Sequence, residues 1–481
     1  MSEEKFERAG QFVLDKCTIH TSSGNFYDLK EGGHVNSIEF HEGVLNPYVH
    51  GTILFNNQGG LSNIGPIIGQ ETLELIIRTP TIEDPDKILS FVGEKRLHIT
   101  RINSKRHIGE GTELLSVTFT SGEWVRNTNI RISRAMQGSI SSMVFTLLDD
   151  VGCQKLRQVE PSKESKKYIA PNIRPFDAIL NLMPQAISSI GQESTNTYMF
   201  WESKQGYHFR SLNSIVNGNS AFQEQDEDII QYKVMDSIPY RKGGQVDVKE
   251  MLTHIIDFHT MHGDLVEDNL TGKLGSRVIS HNIYQKSFTT RKYDYFDAFD
   301  RQTHVRNTST KKSNPLYSQT KDMFGKRVSD NETKLFLQPT TSKDGIDTGF
   351  TDRDNNFVFN GFTPELWIPE RRSQLGLLLN GLSITMKVHG NTFTNPGDLI
   401  GISVPYQGLQ DKENTTKKDK FLNGRFMVES IDHKFDISTF THDMTMRCVR
   451  DSLEESLDFF ENDILGEGNL IKREVYEDFY L

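Results

Sequence analysis

The chain has 481 residues and a mass of 55.0 kDa, room for about three domains at the usual ~150 residues each, which excludes a peptide or a wholly disordered tail. Hydrophobic residues make up 35%, charged residues 25% and aromatics 10%, with a mean hydropathy of -0.51, the balance of a polar globular protein rather than a fibrous or low-complexity one. The formal net charge of -11 argues against a dedicated nucleic-acid binder, which displays a basic stripe. No run of ~18 apolar residues occurs, and the N-terminal Met1-Ser-Glu-Glu-Lys places acids where an export signal carries basic residues, so neither a membrane span nor export is expected. Cys17, Cys153 and Cys448 are odd in number, far apart and without C-x-x-C spacing, which implies neither a disulfide framework nor a zinc site and fits a reducing cytosol.

In chain order, short β-like runs come first: Asn36 to Phe40, Val49 to Phe55, Thr72 to Ile77, Leu97 to Ile102 and Leu114 to Phe119, separated by turn residues. Their regular spacing predicts a barrel or sandwich. Ile140, Met143, Val144, Leu147, Leu148 and Val151 then recur at helical spacing, predicting an amphipathic helix with Ser139 as N-cap and Gly152 as stop. A second helix is expected to open at Pro175 and to end or kink at Pro184, which has no backbone N–H to donate. A third is expected over about Val248 to Phe258, with Val248, Met251, Leu252, Ile255 and Ile256 on one face. Residues 303 to 360 are polar and aperiodic and read as long loops or as an insertion that orders against a partner. Strands resume at Leu382 to Val388, Leu399 to Val404, Arg425 to Ile431 and Asp443 to Val449, followed by a helix-like Leu453 to Leu465.

The sequence contains an internal duplication. Lys95 to Ser121, laid without a gap on Gly424 to Arg450, matches identically at Arg96/Arg425, Ile102/Ile431, Lys105/Lys434, Ile108/Ile437 and Thr112/Thr441. Leu97, Ile99 and Ile102 face Phe426, Val428 and Ile431, while Leu115, Val117 and Phe119 face Met444, Met446 and Cys448. Both copies alternate with period two and both break phase between the second and third apolar residue, the signature of a shared β-bulge. Upstream, Leu75, Ile77 and Pro80 align with Ile400, Ile402 and Pro405.

These segments together resemble the baseplate hub proteins of contractile-tailed bacteriophages, which are related to the spike bases of type VI secretion systems. The resemblance is carried by Gly397 to Pro405, Gly424 to Phe435 and Met444 to Ser452 as a closing strand set, by Ser139 to Gly152 as a first inserted helix, and by Phe200 to Leu212 as a hairpin re-entering a second barrel. It spans about residues 30 to 455 as an ordered but diffuse pattern. It implies a mainly β chain with α insertions holding two tail-tube-like β-barrels: 1–132 for the first, 133–197 a helical insertion, 198–245 with 375–450 the second, 246–374 an inserted α and loop-rich domain, and 451–481 an acidic tail. Three such chains would form a ring of six barrels, a homotrimer adapting a sixfold tail tube to a threefold central spike, with baseplate wedge proteins around it. Two copies per chain are what a trimer needs to imitate sixfold symmetry. DNA is then met only in passage through the bore, the location is the virion tail baseplate after assembly in the host cytoplasm, and no cofactor, metal, catalytic residue or membrane insertion is expected. The polar insertion and the acidic tail have no counterpart in this pattern. The alternatives are a spike base of a type VI or extracellular injection system and a β-rich cell-wall hydrolase.

Motifs for catalysis are lacking: no GxxxxGK[ST], GxSxG, HExxH or EF-hand pattern occurs. The Gly-rich Gly59 to Gly69 contains Pro66 and precedes a strand, which contradicts the strand-loop-helix context of a phosphate cradle, so it reads as a turn. On a helix, His254 falls out of alignment with His259 and His262, and the cluster reads as a polar helix end rather than a metal site. Asp149/Asp150 and Glu227/Asp228 are adjacent acids, the mark of solvated turns rather than of carboxyls facing each other across a substrate. The last 31 residues carry ten acids against Lys472 and Arg473. Within them Leu453, Leu457, Phe460 and Ile464, then Val475, Tyr476, Phe479 and Tyr480, recur at helical spacing on either side of Gly466-Glu-Gly468. A solvated tail, an amphipathic segment docking into a partner and one folding back on its own barrel all stay open.

Overall fold

A computed structural model describes residues 8–454 and 457, apart from 32, 59–66, 81–83, 85–86, 110, 190–194, 218–228, 236–247, 284–285, 307–312, 322, 341–349, 352–356, 359–363, 406–418 and 420. The chain is mainly β with α insertions. Its first part supplies β1 (Val13–His20), β2 (Phe26–Asp28), β3 (Val35–Gly43), β4 (His50–Gln58), β5 (Thr72–Arg78), β6 (Leu89–Phe91), β7 (Leu97–Gly109) and β8 (Thr112–Ser121). Hydrogen-bonded neighbours run in the order β3-β4-β8-β7-β5-β1-β2, with β6 on β5. Period-two alternation sends Ile38, Phe40, Ile53, Phe55, Leu97, Ile99, Val117 and Phe119 to one face, where they form a buried core.

The chain then leaves this sheet. α1 (Gly122–Asn129), β9 (Ala135–Gly138), α2 (Ile140–Asp150), β10 (Leu156–Val159), β11 (Lys166–Ile169), α3 (Pro175–Leu182), β12 (Tyr198–Ser203), β13 (Gly206–Ser211) and α4 (Leu212–Asn217) follow. The helix begins as the sequence predicts: the Ser139 hydroxyl accepts the Ser142 N–H at 3.2 Å and caps α2, whose Ile140, Met143, Val144, Leu147 and Leu148 are buried. Pro175 opens α3, and the next turn, Met183–Gln185, tightens to a 3-10 helix around Pro184. The hairpin at 200–212 does not re-enter a second barrel. β12 pairs β13, and β13 pairs β10 in parallel, so the hairpin forms a three-stranded sheet packed on α2 and α3. The reason lies in its side chains: every residue of β12 is buried, and both faces need apolar cover that an outer strand lacks.

A second strand set comes from β14 (Gln231–Lys233), α5 (Val248–Met251), β15 (Ile255–His262), and, after an excursion, β22 (Leu382–His389), β23 (Leu399–Ser403), β24 (Gly424–Asp436) and β25 (Thr441–Arg450). The excursion holds α6 (Leu265–Leu270), β16 (Gly275–Asn282), β17 (Ser287–Asp294), α7 (Tyr295–Phe299), β18 (Asn314–Pro315), β19 (Lys334–Thr340), β20 (Phe350–Thr351), β21 (Phe357–Val358) and α8 (Pro364–Asn380). Three expectations need correction. The helix over 248–258 stops at Met251, and Ile255 onward is strand, because pairing with β22 from Val388 to Leu382 satisfies its backbone. Residues 303–360 are not loop alone: β19 pairs in parallel with β16, and β18 pairs with β26 (Ser452–Leu453). Leu453 is therefore a buried strand residue rather than a helix start.

The described residues do not establish a pair of closed barrels. The second set joins the first in one fourteen-stranded sheet whose main path runs from β15 to β2, while β14, paired with β23, bridges back to His254 at the start of β15. The sets nevertheless keep separate cores, the second built on Ile384, Met386, Ile400, Phe426, Val428, Met444 and Met446. Within the first set Gly51 pairs with Phe119, and a Cβ on Gly51 would lie 2.2 Å from the Glu39 carbonyl oxygen and 2.4 Å from the Phe119 ring. Gly51→Ala is expected to destabilise the chain by about 1–3 kcal/mol through this overpacking, read as a lowered urea midpoint with the slope unchanged. An unchanged midpoint would show that the strand pair tolerates a side chain there.

Candidate assembly site

The duplicated segments occupy corresponding places in the two halves of the sheet. The first half is ordered β3-β4-β8-β7-β5, the second β15-β22-β25-β24, with β23 on the start of β24 as β5 is on the start of β7. β7 and β24 each have 13 residues, β8 and β25 each 10. The register of the β7–β8 pair shifts between Ile99 and Arg101, that of the β24–β25 pair between Val428 and Ser430, the same step in both copies. The phase slip in the apolar pattern therefore has its physical counterpart, a β-bulge, at matching residues. One cross-strand pair trades volume: Gly51 opposite Phe119 in the first set stands where Ile384 opposite Cys448 stands in the second.

The correspondence is not gapless. β7 shifts register again between Ile102 and Ser104 and between His107 and Gly109, placing two extra residues in the strand, and Gly109 then pairs Thr112. β24 has no such shifts and turns through 437–440. Lys105/Lys434 and Ile108/Ile437 are thus equal in sequence count but not in sheet position. Upstream, Leu73 pairs Leu97 and Ile400 pairs Phe426, so Leu73, not Leu75, corresponds to Ile400. A slip of two keeps every side chain on its face, which is why the pattern hides it. The sets differ at one border, where β1 is antiparallel to β5 but β14 is parallel to β23.

Eleven of the twelve duplicated core positions are buried: Leu97, Ile99, Leu115, Val117, Phe119, Phe426, Val428, Ile431, Met444, Met446 and Cys448. Ile102 is 37% exposed. Its counterpart Ile431 is covered because β24, past its bulge, pairs β3 from Ser430↔Gly43 to Asp436↔Ser37. This junction welds the two sets. Phe435 crosses it into the core of the first set, where full burial of such a ring contributes ~1.5–3 kcal/mol. On the outer side His41 Nδ1 meets Asp432 Oδ1 at 2.7 Å, a contact that raises the His41 pKa.

Beneath the junction lies a buried polar node that the apolar pattern does not reveal. Glu42 from β3 accepts the Lys204 backbone N–H at 2.9 Å, faces Lys204 Nζ at 3.5 Å and meets His433 Nε2 at 3.3 Å. His433 Nδ1 lies 3.0 Å from His442 Nε2. Burial disfavours the Glu42 charge, but Lys204 and His433 hold its pKa below the ordinary glutamate value. Burial lowers His433, and lowers His442 well below the usual imidazole range with help from His433. With both rings neutral, one assignment satisfies the chain: His433 Nε2–H donates to Glu42, His442 Nε2–H donates to His433 Nδ1, and His442 Nδ1 keeps a lone pair with no hydrogen-bond partner. The node ties the first set, the second set and the β12–β13 turn. A second buried group, Lys155 with Glu123 at 2.8 Å and with Glu202, whose Oε2 accepts the Val49 N–H at 2.9 Å, fastens the helical insertion to the residue preceding β4.

Of the residues expected to dock a partner, Leu453 is buried in strand β26 and Leu457 is half-buried, while Phe460, Ile464, Val475, Tyr476, Phe479 and Tyr480 lie outside the described residues. His259 and His262 sit on strand β15 at an odd separation and so point to opposite faces, not to one helix face. Among the described residues no group of three or more His, Cys, Asp or Glu is placed to hold a metal.

No protein-family model and no curated protein matches the sequence. Solved structures similar to the chain are phage tail and baseplate proteins and type VI secretion spike-base proteins. A tail protein from Neisseria meningitidis MC58 is 8% identical with a TM-score of 0.49, covering 92% of this chain and 98% of its own. The 43 kDa tail protein of prophage MuSo2 from Shewanella oneidensis is 8% identical, TM-score 0.46, covering 91% and 98%. The E. coli c3393 protein, a type VI secretion component, is 8% identical, TM-score 0.37, covering 92% and 77%.

Glu42→Ala leaves the Lys204 ammonium buried with the Thr394 carbonyl as a partner but without its carboxylate, and is expected to cost about 3–5 kcal/mol, whereas Glu42→Leu with Lys204→Met is expected to cost less than Glu42→Ala alone. Denaturant unfolding of the three proteins checks this, and equal losses would show that the charge pair is not what holds the node. The node also sets a pH response. His433 and His442 titrate lower in the folded chain than unfolded, so below pH ~6.5 the unfolded state takes up protons that the folded state refuses and stability falls. His50, His98, His208 and His389 act in the same direction, while His41, with its raised pKa, opposes them. Between pH 7.5 and 6 stability is expected to decline, the proton that Asp398 takes up near its raised pKa of about 6 offsetting part of the loss. His442→Gln is expected to flatten that decline by up to one proton's worth of slope. An unaltered slope would show that His442 is not buried neutral.

Proposed function

We propose that this chain is the structural hub of a contractile phage tail's baseplate. Three copies form a ring of six strand sets that joins a sixfold tail tube to a threefold central spike, seats the wedge proteins and lets DNA pass through its bore. One observation carries the reading: a single polypeptide holds two strand sets of matching order, joined edge to edge, each with its own core. Such a subunit presents two quasi-equivalent units per chain, the requirement for a threefold assembly to mate with a sixfold one. The sequence resemblance supports the same role. In this reading the strand edges that each set leaves free are covered by its neighbours in the ring. The role is mechanical, and no residue is assigned to catalysis.

Native mass measurement of the purified protein tests the reading. A species three times the 55.0 kDa chain is expected. A single-chain mass at micromolar concentration, unchanged on adding spike or tube protein, would contradict the hub role.

A further inference from the structure

The joint between the two sets inside one chain specifies the joint between chains. β24 pairs β23 over only four residues, Gly424 to Met427, and then, past its bulge, pairs β3. β7 pairs β5 at Leu97 and His98 and also continues past its bulge, but among the described residues its outer edge from Arg101 onward meets no strand. At the opposite end of the sheet, β15, the second set's counterpart of β3, is met at its start by β14 through the Lys233–His254 bridge, and beyond that point no strand other than β22 lies beside it among the described residues. The chain therefore ends in two half-joints, and each matches one half of the joint it has already made. We infer that the outer edge of β7 pairs antiparallel with β15 of a second copy of this chain, head to tail, repeating between chains the β24–β3 pairing found within one.

The register follows from the two sets. Phe40 faces Gly51 and Ile38 faces Ile53, while Thr260 faces Ile384 and Phe258 faces Met386. Gly51 and Ile384 are equivalent through Phe119 and Cys448, so Phe40 corresponds to Thr260 and Gly43 to Gly263. Along β7, Arg101 corresponds to Ser430, and beyond its extra bulge Ser104, Lys105 and Arg106 correspond to Asp432, His433 and Lys434. The internal pairs Ser430↔Gly43, His433↔Phe40 and Lys434↔Glu39 thus become Arg101↔Gly263, Lys105↔Thr260 and Arg106↔His259 between chains.

Three features fit such an occupant. Ile102, Met261 and Ile256 are 37%, 54% and 45% exposed, and Ile102 is the duplicated core position whose counterpart is covered by this kind of pairing. Charge is complementary in part, since β7 presents Arg101 and Arg106 beside Lys105, which pairs with Glu113, whereas Asp257 lies in the facing stretch of β15. Free edges also attract unwanted strands, and a closed head-to-tail ring removes both at once.

This inference rests on the ring reading above, and the test separates the two. In antiparallel sheets facing residues have Cα atoms ~4.5–5.5 Å apart, within reach of a disulfide. The full chain carrying Arg106→Cys and His259→Cys, and a second version carrying Lys105→Cys and Thr260→Cys, are oxidised with copper phenanthroline in air, while Cys17, Cys153 and Cys448 stay buried. Glu39→Cys with Lys434→Cys serves as the internal control, expected to link within one chain. The expected result is covalent dimers and trimers for at least one test pair on a non-reducing gel, and inter-chain linkage when separate Arg106→Cys and His259→Cys chains are mixed. A trimer by native mass in which the control links but neither test pair does overturns the edge assignment and leaves the ring reading intact. A protein that remains a single chain overturns both.

Discussion

A strand longer than its neighbours leaves backbone N–H and C=O groups that must be paired by something, and this chain contains that situation twice. The thirteen-residue strands β7 and β24 outrun β5 and β23, and a bulge at the matching step re-aims the remainder of each away from its own set. In the second set the remainder finds β3, and two strand sets become one continuous sheet. In the first set the same remainder pairs β8 on one side and meets no strand on the other within the described chain. The rest of the architecture follows from that asymmetry: one satisfied joint, two unsatisfied ends, and a core position, Ile102, left facing outward.

The satisfied joint is reinforced from below by charge that the sheet could not hold without help. A carboxylate in an apolar interior is costly unless hydrogen bonded and paired. Glu42 is supplied by the first set, His433 by the second and Lys204 by the β12–β13 turn, so the cost is offset only when all three parts are in place. Such a node gives the joint a specificity that apolar packing lacks, because a shifted register would strand Lys204 in the core. Lys155 with Glu123 and Glu202 makes the same demand on the helical insertion. Two buried ionic clusters thus orient the pieces, while the apolar cores supply the bulk of the stabilisation.

Local pattern made the duplicated hairpins legible, bulge included, because the slip from Ile99 to Ile102 and from Val428 to Ile431 breaks a period of two within a few residues. The Ser139 cap and the α2 stripe were legible for the same reason. What stayed hidden was set by partners distant in the chain. Glu42 and His433 are 391 residues apart, and nothing near either one announces the other. Val248 to Ile256 carries helical spacing, yet a paired edge of β22 draws Ile255 into strand, tertiary context overriding propensity. α8 was missed because Pro369 interrupts it and its apolar residues do not form one stripe. The two extra residues of β7 were invisible because the turn gives back what the strand takes, leaving the count between Lys95 and Ser121 unchanged.

Hydrogen exchange followed at single-peptide resolution, in the separated chain and again in the assembled particle, tests the central claim most directly. The account predicts that amides of 37–43 and 430–436 are slow to exchange in both states, while those of 101–107 and 257–263 are fast in the separated chain and become comparably slow on assembly. Fast exchange at 430–436 in the separated chain, or edges at 101–107 and 257–263 that stay fast in the assembled particle, would contradict it.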